Sequence, residues 1–484
     1  MAAERGAARA ACRTEGGRRG GRFVEEVSGL DTRFLYSETP TAHMHTLKIV
    51  VVDVTARAVP LTLELFTDLL AQRLDRMPAL RRRRVAIPHR LSLPVWVEDA
   101  DLEISSHIDW RTAPAPGGNR ELADIAAEVA ATPLDPDRPL WHMTVVDGMD
   151  GDRLAVIVKL HHALADGGAS AAMLLNAFLT DRSHAIITPA HPEPEPLRRQ
   201  LVGLAARSRA RQVRNLPALG REMYTGMRAA QRASHEANGA PALPFSCPRT
   251  PLNVSLSAQR TFAMVELPIP DLLEIKASLG TTLNVVYLAL CGGALRRYLL
   301  GLRALPRKTL LAGVPVGTKI DPTRLSGNHV DNMYVPLRTD LDDPVARLRA
   351  VHEAAARARR IRAAMGHEML ERRAALTPLH LYPLGLRLWA RSKLSDRVRP
   401  PINVVASNVA GPREAPETDG GVISALYSVG PILEGIGLNI TAWSFCDKLS
   451  VSVLGCPASL PDPWALTTQF EAELEDLRHR LGEF

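Results

Sequence analysis

The stretch RLAVIVKLHHALADGGASAAMLLNAFL, residues 153–179, decides the fold class because it changes character twice. Six of its first eight residues are apolar, with the β-branched Val156, Ile157 and Val158 at the centre, which predicts a strand over 153–160. From Gly167 onward the small and apolar residues suit a helix over 167–179. Between them lie His161, His162 and Asp166, so the polar groups fall on a strand-to-helix turn, where side chains are presented rather than packed. A strand feeding directly into a helix argues for a mixed α/β protein.

The flanking sequence repeats the pattern. HTLKIVVVDV (45–54) predicts another strand, while TLELFTDLLAQRL (62–74) and RELADIAAEVAATPL (120–134) carry apolar residues at helical spacing. TPAHPEPEP (188–196) has four prolines in nine residues and sustains neither regular structure. The segment 197–232 holds nine arginines against one glutamate and reads as a helical crossover broken by Pro217. Beyond it, 260–269, 309–316, 401–409 and 449–456 read as strands, and 270–279, 284–300, 344–375 and 463–481 as helices. The expected division is a flexible extension 1–23, an N-terminal domain 24–187, a linker and crossover 188–253, and a C-terminal domain 254–484.

At 484 residues the chain exceeds one ordinary core. A hydrophobic fraction of 46% with 23% charged residues is that of a globular protein. The longest apolar runs fall far short of the roughly 20 residues that span a bilayer, and the first 22 residues lack the apolar core of a secretory signal. The five scattered cysteines form no CxxC pair, as expected of reduced thiols in a cytoplasmic protein. A formal charge of +7 favours anionic partners. The basic residues are not interleaved with aromatics, so no nucleic-acid partner is expected.

Three chemistries fit the turn. Asp166 suits a helix N-cap, with His161 a hydrogen-bonded core histidine. His161, His162 and Asp166 are all metal-ligand types, but their crowding into six residues departs from zinc-site spacings, and no metal is expected. Alternatively, one neutral imidazole acts as a general base that takes a proton from a hydroxyl attacking an acyl carbon.

HHALADG fits the HHxxxDG signature of the CoA-dependent acyltransferases and condensation domains that resemble chloramphenicol acetyltransferase. Further stretches resemble the bacterial wax ester synthase/diacylglycerol acyltransferase family: VSGLDTRFLYSETPTAHMH (27–45), DRPLWHMTVVDG (137–148), LNVVYLALCGGALRRYL (283–299), VASNVAGP (405–412), YSVGPILEGIGLNITAWSF (427–445) and LPDPWAL (460–466). The resemblance runs from about residue 27 to 480. It implies an α/β fold of two chloramphenicol-acetyltransferase-like domains with a tunnel at their interface, acyl-CoA entering from one side and a lipid alcohol from the other. Acyl-CoA is then a substrate, and no cofactor is implied.

Carried over to this chain, the resemblance makes His162 the general base, His161 and Asp166 supports of the turn, and Gly167 the close-approach glycine. Pro139, Leu140 and Trp141 correspond to a motif that shapes the channel, though a strand entry packed by an indole explains them equally well. Arg81 or Arg83 is the expected partner of Asp166. Ser407 and Asn408 are oxyanion candidates, expected in a turn after an apolar strand. The family has Asn-Asp where this chain has Asn284 and Val285, so Asn284 is left to cap its helix. The arginine-rich segments 81–84 and 197–232 suit CoA phosphates or the surface of a membrane or lipid droplet. Two other functions fit the same residues: an acyltransferase for another cell-envelope alcohol, and a weakly catalytic acyl-CoA-binding homologue.

Overall fold

The computed structural model describes residues 25–178, 185–188, 195–236, 243–317, 323–365, 381–418 and 421–482. The expected extension 1–23, most of the proline-rich stretch and the end of the expected helix 344–375 lie outside these residues.

The elements that place the site are, in chain order, α1 (Gly29–Tyr36), β1 (His45–Asp53), β2 (Ile108–Thr112), α2 (Asn119–Ala131), β3 (Trp141–Met149), β4 (Arg153–His161), α3 (Gly167–Phe178) and α4 (Arg198–Glu236). They continue with β5 (Thr261–Pro268), α5 (Leu283–Gly301), β6 (Leu311–Gly317), β7 (Val330–Pro336), α6 (Pro344–Met365), α7 (Leu381–Arg391) and β8 (Val404–Val409). The last are β9 (Glu417–Thr418), β10 (Gly421–Val429), β11 (Asn439–Phe445), β12 (Lys448–Gly455) and α8 (Pro463–Gly482).

Two six-stranded sheets result. The first has the order β9-β10-β1-β4-β3-β2 and the second β7-β6-β8-β11-β12-β5. The expected boundary at residue 254 therefore does not divide the sheets, because β9 and β10 come from the C-terminal half. The reason lies in β1, buried at every residue but Asp53. A buried edge strand would leave a row of backbone N–H and C=O groups without partners. β10 covers that edge antiparallel, with Ile49 opposite Tyr427 and Lys48 opposite Ser428.

The two faces of β1 are buried in different cores. Leu47, Ile49 and Val51 pack with α2 and with Phe262 and Met264 of β5. Val50 and Val52 pack with Ala171 of α3, Val409 of β8 and Trp443 of β11. Both cores draw on both sheets, so the turn between β4 and α3 sits where the halves meet. A separate core surrounds α5, including Val285 and Leu288, with β8, β11 and α8. Among the described residues no single helix is long and apolar enough to cross a membrane.

The crossover differs from expectation in one respect: α4 runs through Pro217 as one helix. Proline removes one backbone donor and costs the helix locally, yet α4 continues on both sides of it.

Candidate active site

The last strand residue of the opening stretch is His161, and α3 begins at Gly167. Adjacent strand residues point to opposite faces, and the two histidines diverge accordingly. His161 is 1% exposed. The Ala163 N–H donates to its Nδ1 at 3.0 Å, so Nδ1 is the bare nitrogen and the proton is on Nε2, 3.3 Å from Glu38 Oε1. Burial pushes the Glu38 carboxyl up, but its interactions with His161, His43 and Arg84 together hold it below the usual range.

His162 points the other way, under the ring of Phe34 of α1, stacked at 4.1 Å. Its Nδ1 lies 2.9 Å from Asn328 Oδ1. The orientation of the Asn328 amide is fixed by its nitrogen, which donates to Asp31 Oδ1 and to the His162 carbonyl, both at 2.6 Å. The amide oxygen must therefore accept, which places the imidazole proton on Nδ1 and leaves Nε2 as a free lone pair. Burial lowers the His162 pKa to about 4, against the pull of Asp166, so the ring is neutral near pH 7. Burial raises Asp31 to about 6, with the Asn328 hydrogen bond working against it.

Asp166, 2% exposed, is both an N-cap and half of an ion pair. Its Oδ1 accepts from the Ala169 N–H at 2.9 Å. Burial pushes the Asp166 carboxyl up, but Arg324 and the N–H bonds from Ala169 and His329 hold it below the usual carboxylate range. Arg324 Nη2 donates to both its oxygens, at 2.8 and 2.6 Å.

Arg81 and Arg83 are thus not the partners of Asp166. Arg81 donates to Glu98 at 2.6 Å, and Arg83 lies 3.6 Å from Asp99 and 3.2 Å from Glu195. The physical reason is backbone register: residues 82–85 form a strand of a small three-stranded sheet and find carboxylates there. The loop carrying Arg324 and Asn328 is instead stitched to the turn, with Asp166 N–H donating to Gly327 and Gly327 N–H to Leu164. Arg82 is likewise paired, 2.8 Å from Glu25, so three of the four arginines at 81–84 already face a carboxylate.

A cavity of about 1540 Å³ opens beside His162. Thr46, Lys48, His162 and Gly167 line it from the first sheet and its turn, Ser428 from β10, and Ser407, Val409 and Thr441 from the second sheet. Gly167 is a close approach: an added Cβ would stand 3.3 Å from a Val409 methyl, tighter than ordinary van der Waals contact. Ser407 and Asn408 both belong to β8 rather than to a turn after it, and strand alternation puts only Ser407 on the cavity wall.

Pro139, Leu140 and Trp141 do not line this cavity. The Leu140 carbonyl accepts from the His161 N–H at 2.9 Å. The Trp141 indole donates to the Leu80 carbonyl at 2.7 Å and stacks on His107 at 4.4 Å. Pro139 and Trp141 border a separate pocket of about 440 Å³. Asn284 also stays outside the cavity. Thr282 rather than Asn284 caps α5, its hydroxyl accepting from Val285 N–H at 3.3 Å, and Val285 is fully buried in the core of the second sheet.

His161, His162 and Asp166 do not converge on a point, since each ring faces a different partner and the carboxylate is taken by Arg324. Among the described residues no group of three or more His, Cys, Asp or Glu side chains is placed to hold a metal ion. Asp31, Glu38, Lys48, Arg324 and Asn328 are the site residues that sequence reasoning did not single out. Asp31 and Glu38 do lie within the quoted segment 27–45. Arg324 and Asn328 carry no local signal, because their roles depend on a contact across more than 150 residues.

Comparison with known proteins follows the same outline. Residues 27–287 match the model of the wax ester synthase/diacylglycerol acyltransferase catalytic domain, and residues 326–478 that of the WS/DGAT C-terminal domain. A Mycobacterium tuberculosis protein assigned as a diacylglycerol O-acyltransferase is 36% identical over 463 residues, covering 95% of this chain and 97% of its own. Another from the same organism is 33% identical over 468 residues, covering 94% of this chain and 90% of its own. The wax ester synthase/diacylglycerol acyltransferase of Marinobacter aquaeolei VT8 superposes with a TM-score of 0.67 at 24% identity, covering 95% of this chain and all of that one. The starter condensation domain of rhizomide synthetase, in a mutant complex with C8-CoA, shares the fold at a TM-score of 0.55 and 12% identity, covering 95% of each chain. The chain is an acyltransferase and belongs to the wax ester synthase/diacylglycerol acyltransferase family.

Proposed function

We propose that this protein transfers the acyl group of acyl-CoA to the hydroxyl of diacylglycerol, of a long-chain alcohol, or of both, with His162 as general base. The observation that carries the reading is the Asn328 amide, which fixes the proton on Nδ1 and leaves a neutral Nε2 in a cavity large enough for two substrates. The alcohol proton passes to Nε2 as its oxygen bonds to the thioester carbon. The tetrahedral intermediate then collapses, the C–S bond breaks, and the proton moves from Nε2 to the CoA sulfur. Ser407 is the candidate donor to the transient oxyanion.

Acyl-CoA as donor is supported by the C8-CoA bound in the condensation domain of the same fold. Arg338 and Arg362 also line the cavity, each already paired with a carboxylate, Asp340 and Asp331.

The proposed partner is a lipid surface, on the evidence of α7. Tyr382, Leu386 and Trp389 line the cavity from this helix, while Leu381, Leu384 and Leu388 are 68%, 54% and 57% exposed. Arg387, Arg391, Lys393, Arg397 and Arg399 are exposed beside them. An apolar face with a cationic rim is the pattern of a helix lying in a membrane interface.

The test is CoA release from palmitoyl-CoA with dioleoylglycerol, hexadecanol or no acceptor, in wild type and His162→Ala. Acceptor-dependent release that falls about 10²- to 10⁴-fold in the variant is the expected result. Folded wild-type protein that binds acyl-CoA without releasing CoA to either acceptor would turn the reading toward a binding protein.

A further inference from the structure

Lys48 occupies the middle of β1 and is 1% exposed. Lysine is almost never fully buried without an opposite charge, because the ammonium loses its hydration. Here the partners are neutral. Nζ donates to Ser428 Oγ across the β1–β10 pair, and it lies 5.5 Å from the centroid of the Trp443 ring. Among the described residues no carboxylate stands within salt-bridge distance of it. An ammonium has three N–H donors, and Ser428 with the ring face occupies two at most.

Lys48 and Ser428 both line the reaction cavity together with His162, so a bound substrate can offer an acceptor to the remaining donor. The Lys48 charge is felt at His162, where it opposes protonation, so the two groups act within one site. Burial pushes Lys48 down to about 8, with Asp166 working against the shift.

Resting on the acyltransferase reading, we infer that Lys48 and Ser428 form a polar subsite selecting an acceptor lipid with ester oxygens near its reacting hydroxyl. A saturated alcohol offers only hydrocarbon beyond its hydroxyl, and methylenes laid against the ammonium leave an N–H without an acceptor in a dry cavity. Diacylglycerol carries two ester groups within a few bonds of its hydroxyl, and a carbonyl oxygen satisfies the free donor. Discrimination built on a hydrogen bond of this kind is stronger than discrimination by shape alone.

The experiment compares kcat/KM for dioleoylglycerol and for hexadecanol, with palmitoyl-CoA as donor, in wild type, Lys48→Met and Lys48→Gln. Methionine keeps the length and removes the donors; glutamine keeps an N–H donor without the charge. The expected result is a fall of roughly 10- to 100-fold in the diacylglycerol-to-alcohol ratio for Lys48→Met, with Lys48→Gln retaining a higher ratio. An unchanged ratio in both variants, whether the two rates fall together or stay the same, overturns the inference and leaves the acyltransferase intact. Wild-type protein that releases no CoA with either acceptor overturns the acyltransferase reading, and this inference with it.

Discussion

Asn328 Oδ1 stands 2.9 Å from His162 Nδ1, a contact between residues 166 positions apart that chooses the tautomer of the ring. Behind it Asp31 accepts from the same amide at 2.6 Å. The three residues form a line in which a carboxylate holds an amide and the amide holds an imidazole. Asn328→Ala is expected to lower kcat by on the order of 10²-fold or more by releasing the tautomer, and Asp31→Ala by roughly 10- to 100-fold as a support acting through Asn328. In both, the KM for acyl-CoA is expected to change little. A rise in KM with kcat intact would remove the positioning role.

The pH dependence of stability pits His162 against Asp31. His162 titrates near 4 in the folded chain, below the ordinary histidine value. Between those values the unfolded state binds the proton and the folded state does not, so stability falls as pH drops. Asp31 titrates near 6, above the ordinary aspartate value, so over that window the folded state binds the proton and stability rises as pH drops. The two effects oppose each other between about pH 6 and 4. Asp31→Asn removes one of them, and the variant is expected to lose more stability than wild type over that interval. Urea unfolding at pH 7, 5.5 and 4.5 measures the difference; parallel curves would contradict it.

Arg324 and Asp166 form a largely buried ion pair, with side chains 17% and 2% exposed. Arg324→Met leaves the carboxylate without its cation and is expected to cost about 3–5 kcal/mol. The double variant with Asp166→Asn should recover part of this, since no charge is then stranded. Chemical denaturation of the four proteins completes the cycle, and equal losses in single and double variants would show that Arg324 acts through packing alone.

On the surface, Leu384→Ser combined with Leu388→Ser removes two exposed apolar contacts from α7 without touching the core. Sedimentation with vesicles of phosphatidylcholine and phosphatidylglycerol is expected to drop for this variant. Wild-type binding itself should weaken as salt rises, because exposed cations are screened. Failure of the wild type to sediment at low salt would end the lipid-surface proposal.

Periodicity placed β1, β4, β5, β6 and β12, with α3, α5 and α8, within a residue or two, whereas β2, β7 and β10 were not among the expected strands. The stretch 153–179 yielded its strand, turn and helix because β-branched runs, small residues and an N-cap aspartate act locally. HHALADG marked His162 and Asp166 for the same reason: a turn's chemistry is written in neighbouring residues. The break expected at Pro217 does not occur: α4 continues through it despite proline's local cost.

What the chain order could not reveal was who meets whom. Arg324 rather than Arg81 or Arg83 reaches Asp166, and Asn328 reaches His162, because one loop before β7 is hydrogen-bonded to the turn through Gly327. β10 leaves the C-terminal half to cover β1, because a buried strand edge must be paired. Lys48 looked like one charge in an apolar run, and only the meeting of β1, β10 and the cavity made it a buried ammonium with a donor to spare. Local propensity and turn chemistry determined the elements and marked the candidate base. Burial and long-range hydrogen bonding, which depend on the whole packed chain, decided the partners.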